Sequence, residues 1–324
     1  MSSEPTLLWQ PSAERIASAQ LTAYTRWLEE AHGLEFSEYA DLRSWSVRQI
    51  EDFWESLWEW FEIDADGEGP ALTDRTMPGA RWFEGTRLSY PEHIFRGKDD
   101  SDLAIIHASE IRETTEVTWG ELRAQVAAIA ASLRSLGVES GDRIVAYLPN
   151  SLEAVVAFLA TASIGAVWSS CSPDFGESSV VDRFAQIEPK VIFAVDGYRY
   201  GGKDFGRLEE VERICQEMES LQHVVLCPYL DPTRRVEEIG DLPTATWGDL
   251  LESGGGADLT FERVPFSHPL WVLYSSGTTG LPKAIVQGQG GILIEHLKKL
   301  HLHNDLKRGD RFFWFTTTGW MMWN

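Results

Sequence analysis

The sequence predicts an α/β chain, with a layered, parallel sheet and crossover helices preceded by a helical N-terminal region. Three observations carry this expectation. From about residue 103, short apolar runs alternate with helical stretches of roughly 10 to 15 residues, the pattern of right-handed crossovers between parallel strands. Before that, residues 11 to 62 repeat large apolar side chains at three- and four-residue steps. Finally, the Ser/Thr/Gly-rich run Tyr274 to Lys283 follows an apolar strand, at the carboxyl end where open α/β sheets receive their ligands. The length of 324 residues suits about two structural units.

In the N-terminal region Trp45, Ile50, Phe53, Trp54, Leu57, Trp58 and Phe61 form an amphipathic stripe that needs a surface to cover. The segment Ile63 to Thr86 is rich in Gly, Pro and Asp and reads as a link, which places a boundary near residue 90. Strands are expected at Leu103–Ala108 and Glu116–Thr118. A helix then opens with the capping box Thr118-Trp119-Gly120-Glu121 and ends before Gly137. The strand Arg143–Leu148, a helix from Ser151 to Gly165 and a short strand Ala166–Ser169 come next. A helix near Val180–Ile187, the strand Val191–Val195, a helix Leu208–Glu219 and the strand His223–Cys227 complete the alternation. Beyond the loop around Gly254–Gly256, the strand Leu270–Tyr274 leads into the hydroxyl-rich run. Ala284–Gln287 returns as a strand, Gly290–Leu302 forms a helix and Arg311–Thr316 another strand.

Composition narrows the functions open to the chain. With 43% hydrophobic and 24% charged residues it can bury a large core. A formal charge of −22 speaks against nucleic acid as a partner, because a phosphate backbone demands clustered cations. Cys171, Cys215 and Cys227 are far apart and read as small buried hydrophobes in a reducing compartment. The N-terminus lacks a basic-then-apolar export pattern, so a cytoplasmic location is expected. The longest apolar stretch, Ala154 to Trp168, is 15 residues and too short to span a bilayer, so no membrane partner is expected. The fourteen tryptophans point first to packing, and nothing in the composition indicates a particular oligomeric state.

The run Tyr274-Ser275-Ser276-Gly277-Thr278-Thr279-Gly280-Leu281-Pro282-Lys283 combines hydroxyl donors, two glycines and one cation in a turn suited to a polyphosphate. Glycine lets the backbone take positive φ and approach a ligand, and successive N–H groups in such a turn form an anion-binding concavity. The spacing Gly-x-x-Gly-x-x-Lys differs from the Gly-x-x-x-x-Gly-Lys of ordinary P-loop NTPases. His296, His301 and His303 are not spaced to ligate one metal from one helical face, so no metal site is expected. No Gly-x-Ser-x-Gly elbow marks a hydrolase. The Asp174-Phe175-Gly176 triplet lacks the loops that accompany it in kinases.

In order, Tyr274 to Lys283, Gln287 to Gly291 and Thr316-Thr317-Thr318-Gly319-Trp320-Met321-Met322-Trp323-Asn324 resemble the adenylate-forming superfamily, which includes acyl-CoA synthetases, nonribosomal-peptide adenylation domains and luciferases. Within it the chain is most similar to the acetyl-CoA synthetase branch, and there to acetoacetate-activating members. The likeness also covers the Trp-rich N-terminus, Trp82 to Phe95, Gly141-Asp142-Arg143 and Trp168 to Gly176. It implies residues 1–90 as a helical region of that branch and 91–324 as the N-terminal part of the large, AMP-binding domain. Acetate enzymes carry an acidic residue where Thr317 stands, which favours a larger β-keto acid here. Acetyl- or propionyl-CoA synthesis and a non-catalytic nucleotide- or CoA-binding module are the alternatives.

The resemblance further implies small-molecule partners: acetoacetate, ATP with Mg²⁺, and CoA, with no prosthetic group. Tyr274, Ser275, Ser276, Gly277, Thr279 and Gly280 would bind the ATP phosphates, with Thr278 and Lys283 closest to catalysis. Arg199 and Lys203, in the run Asp196 to Lys203, would contact CoA phosphates. An exposed hairpin with solvated cations is the other reading of that run. Trp320, Met321 and Met322 would line the acyl pocket, where methionine adapts to irregular shapes.

The family's adenine- and ribose-binding segments, hinge and mobile C-terminal domain lie beyond the motif that ends at Asn324, so the sequence reads as an N-terminal piece. Without those groups the charge stabilisation of the transition state is incomplete. Purified 1–324 is therefore expected to show no ATP–pyrophosphate exchange with acetoacetate, and robust exchange in that assay would refute the expectation.

Overall fold

The computed structural model describes residues 6–234, 239–275 and 280–324. The chain divides into two compact units. One comprises Met1–Asp64, Glu68–Gly85 and Gly291–Phe313; the other comprises Ala65–Gly67, Thr86–Gly290 and Trp314–Asn324. The single cut near residue 90 expected from composition thus differs from the compact units, which place residues 291–313 with the N-terminal helices.

In the first unit the expected helical stretch is four helices: Ala13–Ser18, Gln20–His32, Tyr39–Arg48 and Ile50–Trp60. The breaks have local causes. Gly33 adopts φ +66° and ends the second helix in the left-handed cap that glycine accepts without strain. Glu38 and Asp41 then form a reciprocal capping box that starts the third. Tyr24, Leu28, Leu42 and Leu57 are buried, and Tyr24, Trp27 and Trp60 pack ring against ring at 5.4 to 6.0 Å. Trp58 stacks on Phe83 at 4.5 Å, and Trp54 meets Trp82 edge-on. The first tryptophan cluster therefore packs, as its spacing suggested. The helix Gln289–Leu297 continues as a π-helical segment, Lys298–His303, and Lys298 lies over the Trp54 ring at 4.8 Å.

The second unit is built on a seven-stranded sheet. Its order is Thr244–Thr246, His223–Cys227, Val191–Val195, Arg143–Tyr147, Val167–Cys171, Pro269–Ser275 and Lys283–Gly288. All neighbours run parallel except the last pair, a hairpin whose Lys283 strand lies at the sheet edge. Val167–Cys171 and Val191–Val195 are buried at every position, as strands covered on both faces must be. Crossover helices include Trp119–Ser135, Leu152–Ser163, Glu177–Phe184 and Leu208–Gln216. The Thr118 capping box forms in both directions, with Glu121 N–H donating to Thr118 Oγ1 at 3.2 Å and Thr118 N–H to Glu121 at 2.8 Å. Such a cap stabilises a helix by about 1 kcal/mol.

Three sequence expectations need correction. Leu103–His107 and Thr115–Thr118 pair with each other as an antiparallel hairpin outside the main sheet. Thr244–Thr246 and the helix Trp247–Ser253, opened by a Thr246–Asp249 capping box, were not foreseen. Arg311–Thr316 forms no strand: nothing among the described residues pairs with it, and Phe313 and Phe315 stand 79% and 87% exposed. Aromatic β-propensity becomes a strand only where a neighbour supplies a ladder. No described helix is long and apolar enough to cross a membrane.

Burial holds the His296 imidazole below its ordinary value of 6.5, so folding favours its neutral form. The stability this contributes is complete above pH 6.5 and is lost as pH falls through the depressed value. Urea midpoints should therefore fall more steeply between pH 7.5 and pH 5.5 in wild type than in His296→Gln; equal slopes would show that His296 is not the titrating group.

Candidate functional site

Because its strands run parallel, the sheet gathers its strand-to-helix turns on one edge. Leu148–Ser151 follow Arg143–Tyr147, Ser172–Gly176 follow Val167–Cys171, Asp196 follows Val191–Val195, and Ser275 ends the strand that carries the hydroxyl-rich run. Tyr147 holds one of these turns: its hydroxyl, buried and pushed well above the usual phenol range, lies 2.9 Å from the Pro173 carbonyl and 2.7 Å from that of Phe175. Arg207 donates to the same Pro173 carbonyl at 2.6 Å, and the Arg183 guanidinium packs over the Phe175 ring. Cys171 lies beneath this turn, with burial raising its thiol to about 12, so it serves as packing. All three cysteines are buried and free.

Ser275 lies opposite Lys283 in the antiparallel ladder, so the run closes a hairpin whose two described ends face each other. Ser276, Gly277, Thr278 and Thr279 lie outside the described residues. Tyr274 is committed to structure, since its hydroxyl donates to the Arg183 carbonyl at 2.7 Å. Gly280 has φ +92° with open space around it, a conformation that favours glycine. Gln186 donates to the Pro282 carbonyl at 3.0 Å and ties the hairpin to the end of the neighbouring helix. Lys283 is exposed and makes no ion pair among the described residues. Lys283 therefore opens the returning strand of this hairpin.

The segment Thr316–Asn324 is stitched across the same edge. Thr318, 1% exposed, donates from Oγ1 to the Leu148 carbonyl at 2.5 Å and accepts the Ser170 hydroxyl on its own carbonyl at 2.8 Å. Trp323 Nε1 donates to Asn150 at 3.0 Å. At Gly319 a Cβ would lie 2.8 Å from the Phe175 ring and 3.1 Å from the Ser172 nitrogen, so only glycine lets the segment pass this close. Trp320, Met321 and Met322 are exposed on that segment. Thr318 is the positioning residue that sequence reasoning missed. Three consecutive threonines give no sign of which one turns inward.

The run Asp196 to Lys203 forms a tight hairpin, Gly197–Tyr200 with Lys203–Gly206. Gly201 and Gly202 take φ +60° and +73°, the mirror-image turn that demands glycine-like backbone at both positions. Arg199 is committed to its cross-strand neighbour Asp204 through two bonds of 2.5 and 3.0 Å, which hold the Asp204 carboxyl below its ordinary range. Lys203 is exposed. The Gly201 and Gly202 amides both donate, at 2.7 Å each, to the carboxylate of Glu110, another residue the sequence did not single out. Among the described residues no group of three or more His, Cys, Asp or Glu side chains could hold a metal ion.

Residues 97–323 match the AMP-binding enzyme family. Acetoacetyl-CoA synthetase of Rattus norvegicus is 44% identical over 99% of this chain, which covers 48% of that protein. Acetoacetyl-coenzyme A synthetase of Rhizobium meliloti (strain 1021) is 40% identical over 98% of this chain and 48% of its own length. The structure of acetoacetyl-CoA synthetase from Streptomyces lividans superposes with a TM-score of 0.93 at 52% identity, covering 98% of this chain and 49% of that one. The chain thus spans about half the length of the curated relatives it matches.

Thr318→Val keeps the shape of the side chain but leaves the Leu148 carbonyl without its hydroxyl donor. Urea denaturation should report a loss of about 1–3 kcal/mol, with faster proteolysis after Thr316; unchanged stability would mean the contact does not hold the segment.

Proposed function

This chain belongs to the AMP-binding enzyme family, and on that premise we propose that it forms the phosphate-binding and acyl-binding half of an acetoacetate–CoA ligase. One observation carries the reading: identity of 40–44% with proteins named acetoacetyl-CoA synthetases extends over 98–99% of this chain. The reaction is acetoacetate + ATP + CoA to acetoacetyl-CoA + AMP + pyrophosphate. A carboxylate is a poor acyl donor, so its oxygen first attacks the α-phosphorus of ATP and expels pyrophosphate. The CoA thiolate then attacks the adenylate carbonyl, and AMP leaves.

Ser275, Ser276, Gly277, Thr278, Thr279 and Gly280 hold the β- and γ-phosphates in this proposal, and Mg²⁺ enters with ATP. Lys283, exposed at the base of the hairpin, offsets the charge that develops on pyrophosphate. The side chain of Tyr274 serves indirectly by anchoring the last turn of the Glu177–Phe184 helix, since its hydroxyl is bonded there. Trp320, Met321 and Met322 form one wall of the acyl site and are carried to the sheet edge by Thr318. Lys203 and Arg199 meet a phosphate of CoA, Arg199 after sharing or leaving Asp204. Residues 1–90 act as the helical region and 91–324 as part of the AMP-binding domain. Three buried, free thiols accord with a reducing, cytoplasmic location.

In a polypeptide of the relatives' length that contains this sequence, ATP–pyrophosphate exchange should depend on acetoacetate in preference to acetate or propionate. Thr278→Ala should lower its kcat by about 10²-fold with circular dichroism unchanged, the cost of removing one preorganised donor. Exchange driven equally well by acetate would overturn the substrate assignment, and binding of ATP without exchange would point to a non-catalytic module.

A further inference from the structure

The tip of the Gly197–Gly206 hairpin already holds an anion. Two successive backbone N–H groups, Gly201 and Gly202, point at one carboxylate and bind its two oxygens at 2.7 Å each. That is the geometry with which a nest of amides grips a phosphate. Here the occupant, Glu110, comes from the chain itself. A β-carbon at Gly201 or Gly202 would meet nothing within 4 Å, so the glycines serve the backbone conformation and the open approach to the amides.

Charge and position both suggest that this occupant can be replaced. Arg199 and Lys203 bring two positive charges to the hairpin, while Asp204 and Glu110 bring two negative ones. Glu110 is close enough to Arg199 to act on it electrostatically, after Asp204. With Glu110 in place the tip is neutral; without it the tip carries one net positive charge and two unfilled donors. Glu110 and both glycines are exposed, so water screens the contact and weakens it relative to a buried one. The hairpin also begins directly after Val191–Val195, on the carboxyl edge where Ser275 and Thr318 lie.

We infer that Glu110 is an internal stand-in for a phosphate monoester, occupying the Gly201–Gly202 cradle until the phosphate of an incoming ligand displaces it. Glu110 thereby sets the affinity of this corner: it protects the amides and suppresses binding of weak anions, and a dianionic phosphate competes through its higher charge and its attraction to Lys203 and Arg199. The inference deepens the ligase reading and rests on it only for the carrier of the phosphate, which is CoA there.

The test uses full-length protein bearing this sequence, labelled with ¹⁵N-glycine, and follows the Gly201 and Gly202 amide resonances during titration with inorganic phosphate. In Glu110→Gln the two resonances should saturate at about tenfold lower phosphate than in wild type, the effect of removing a competitor worth about 1.4 kcal/mol. Adding Lys203→Ala should cancel that gain. If Glu110→Gln or Glu110→Ala gains no affinity, or the amides do not respond, Glu110 is a structural latch and the inference fails. The wild-type protein gives an independent check: at high phosphate the two amides must move with one common midpoint, and resonances that stay fixed overturn the displacement. Repeating the titration with CoA separates the two readings. Amides that answer phosphate but not CoA leave the cradle standing and remove CoA as its ligand.

Discussion

A parallel sheet covered on both faces can meet a ligand only at the edges where its strands stop, and there the backbone groups beyond the last ladder bond must find other partners. In this protein side-chain donors meet that need. Thr318 donates to the Leu148 carbonyl, and Tyr147 and Arg207 to the Ser172–Gly176 turn, while Tyr274 at the end of its strand donates to the Arg183 carbonyl in the last turn of the Glu177–Phe184 helix. Ser169 adds a bond between neighbouring strands, donating to Val272 at 2.7 Å. The same contacts fix the turns and bring Thr316–Asn324 beside them. The site's geometry therefore follows from completing the hydrogen bonding of the sheet edge.

Electrostatics works locally against the overall charge. A chain with a formal charge of −22 repels anions at long range, so any phosphate it binds must be met by positive groups at short range. Many of its cations are already paired: Lys190 with Asp142 at 2.8 Å, Arg112 with Glu153 at 2.7 Å, and Arg263 with both Glu92 and Asp66. Lys283 and Lys203 differ, for each is exposed and makes no ion pair among the described residues. Backbone amides supply the remaining positive potential. They require glycine where the turn takes positive φ, as at Gly201, Gly202 and Gly280.

The first unit follows a different logic. It buries aromatic rings, and the Tyr24 hydroxyl within it meets Ser56 at 2.6 Å so that its polar end is not stranded. Gln20 N–H donates to Asp305 at 2.8 Å and His301 packs on Phe61, which ties the residues after 291 to the helices at the start of the chain. These contacts join residues 285 and 240 positions apart. No periodicity within either segment could announce them.

Much of the second unit could be read directly. Arg143–Tyr147, Val167–Cys171, Val191–Val195 and His223–Cys227 are short apolar runs between turn residues, and the Thr118–Glu121 cap marks a helix start by chemistry confined to four residues. The strands on either side of the hydroxyl-rich run, Leu270–Tyr274 and Ala284–Gln287, were likewise legible, and they pair with Lys283 opposite Ser275. Other features depended on partners distant in sequence. Leu103–His107 paired with its neighbour and stayed outside the main sheet, Arg311–Thr316 found no ladder among the described residues, Arg199 was claimed by Asp204, and Glu110 reached the Gly201–Gly202 amides from 91 and 92 positions away. Periodicity, caps and glycine positions act over a few residues, so the sequence alone determined the buried parallel strands, the Thr118–Glu121 helix start and the glycine-bearing turns. Which threonine turns inward, which cation is already neutralised and which carboxylate fills a nest are settled by three-dimensional proximity, and only the tertiary structure decided them.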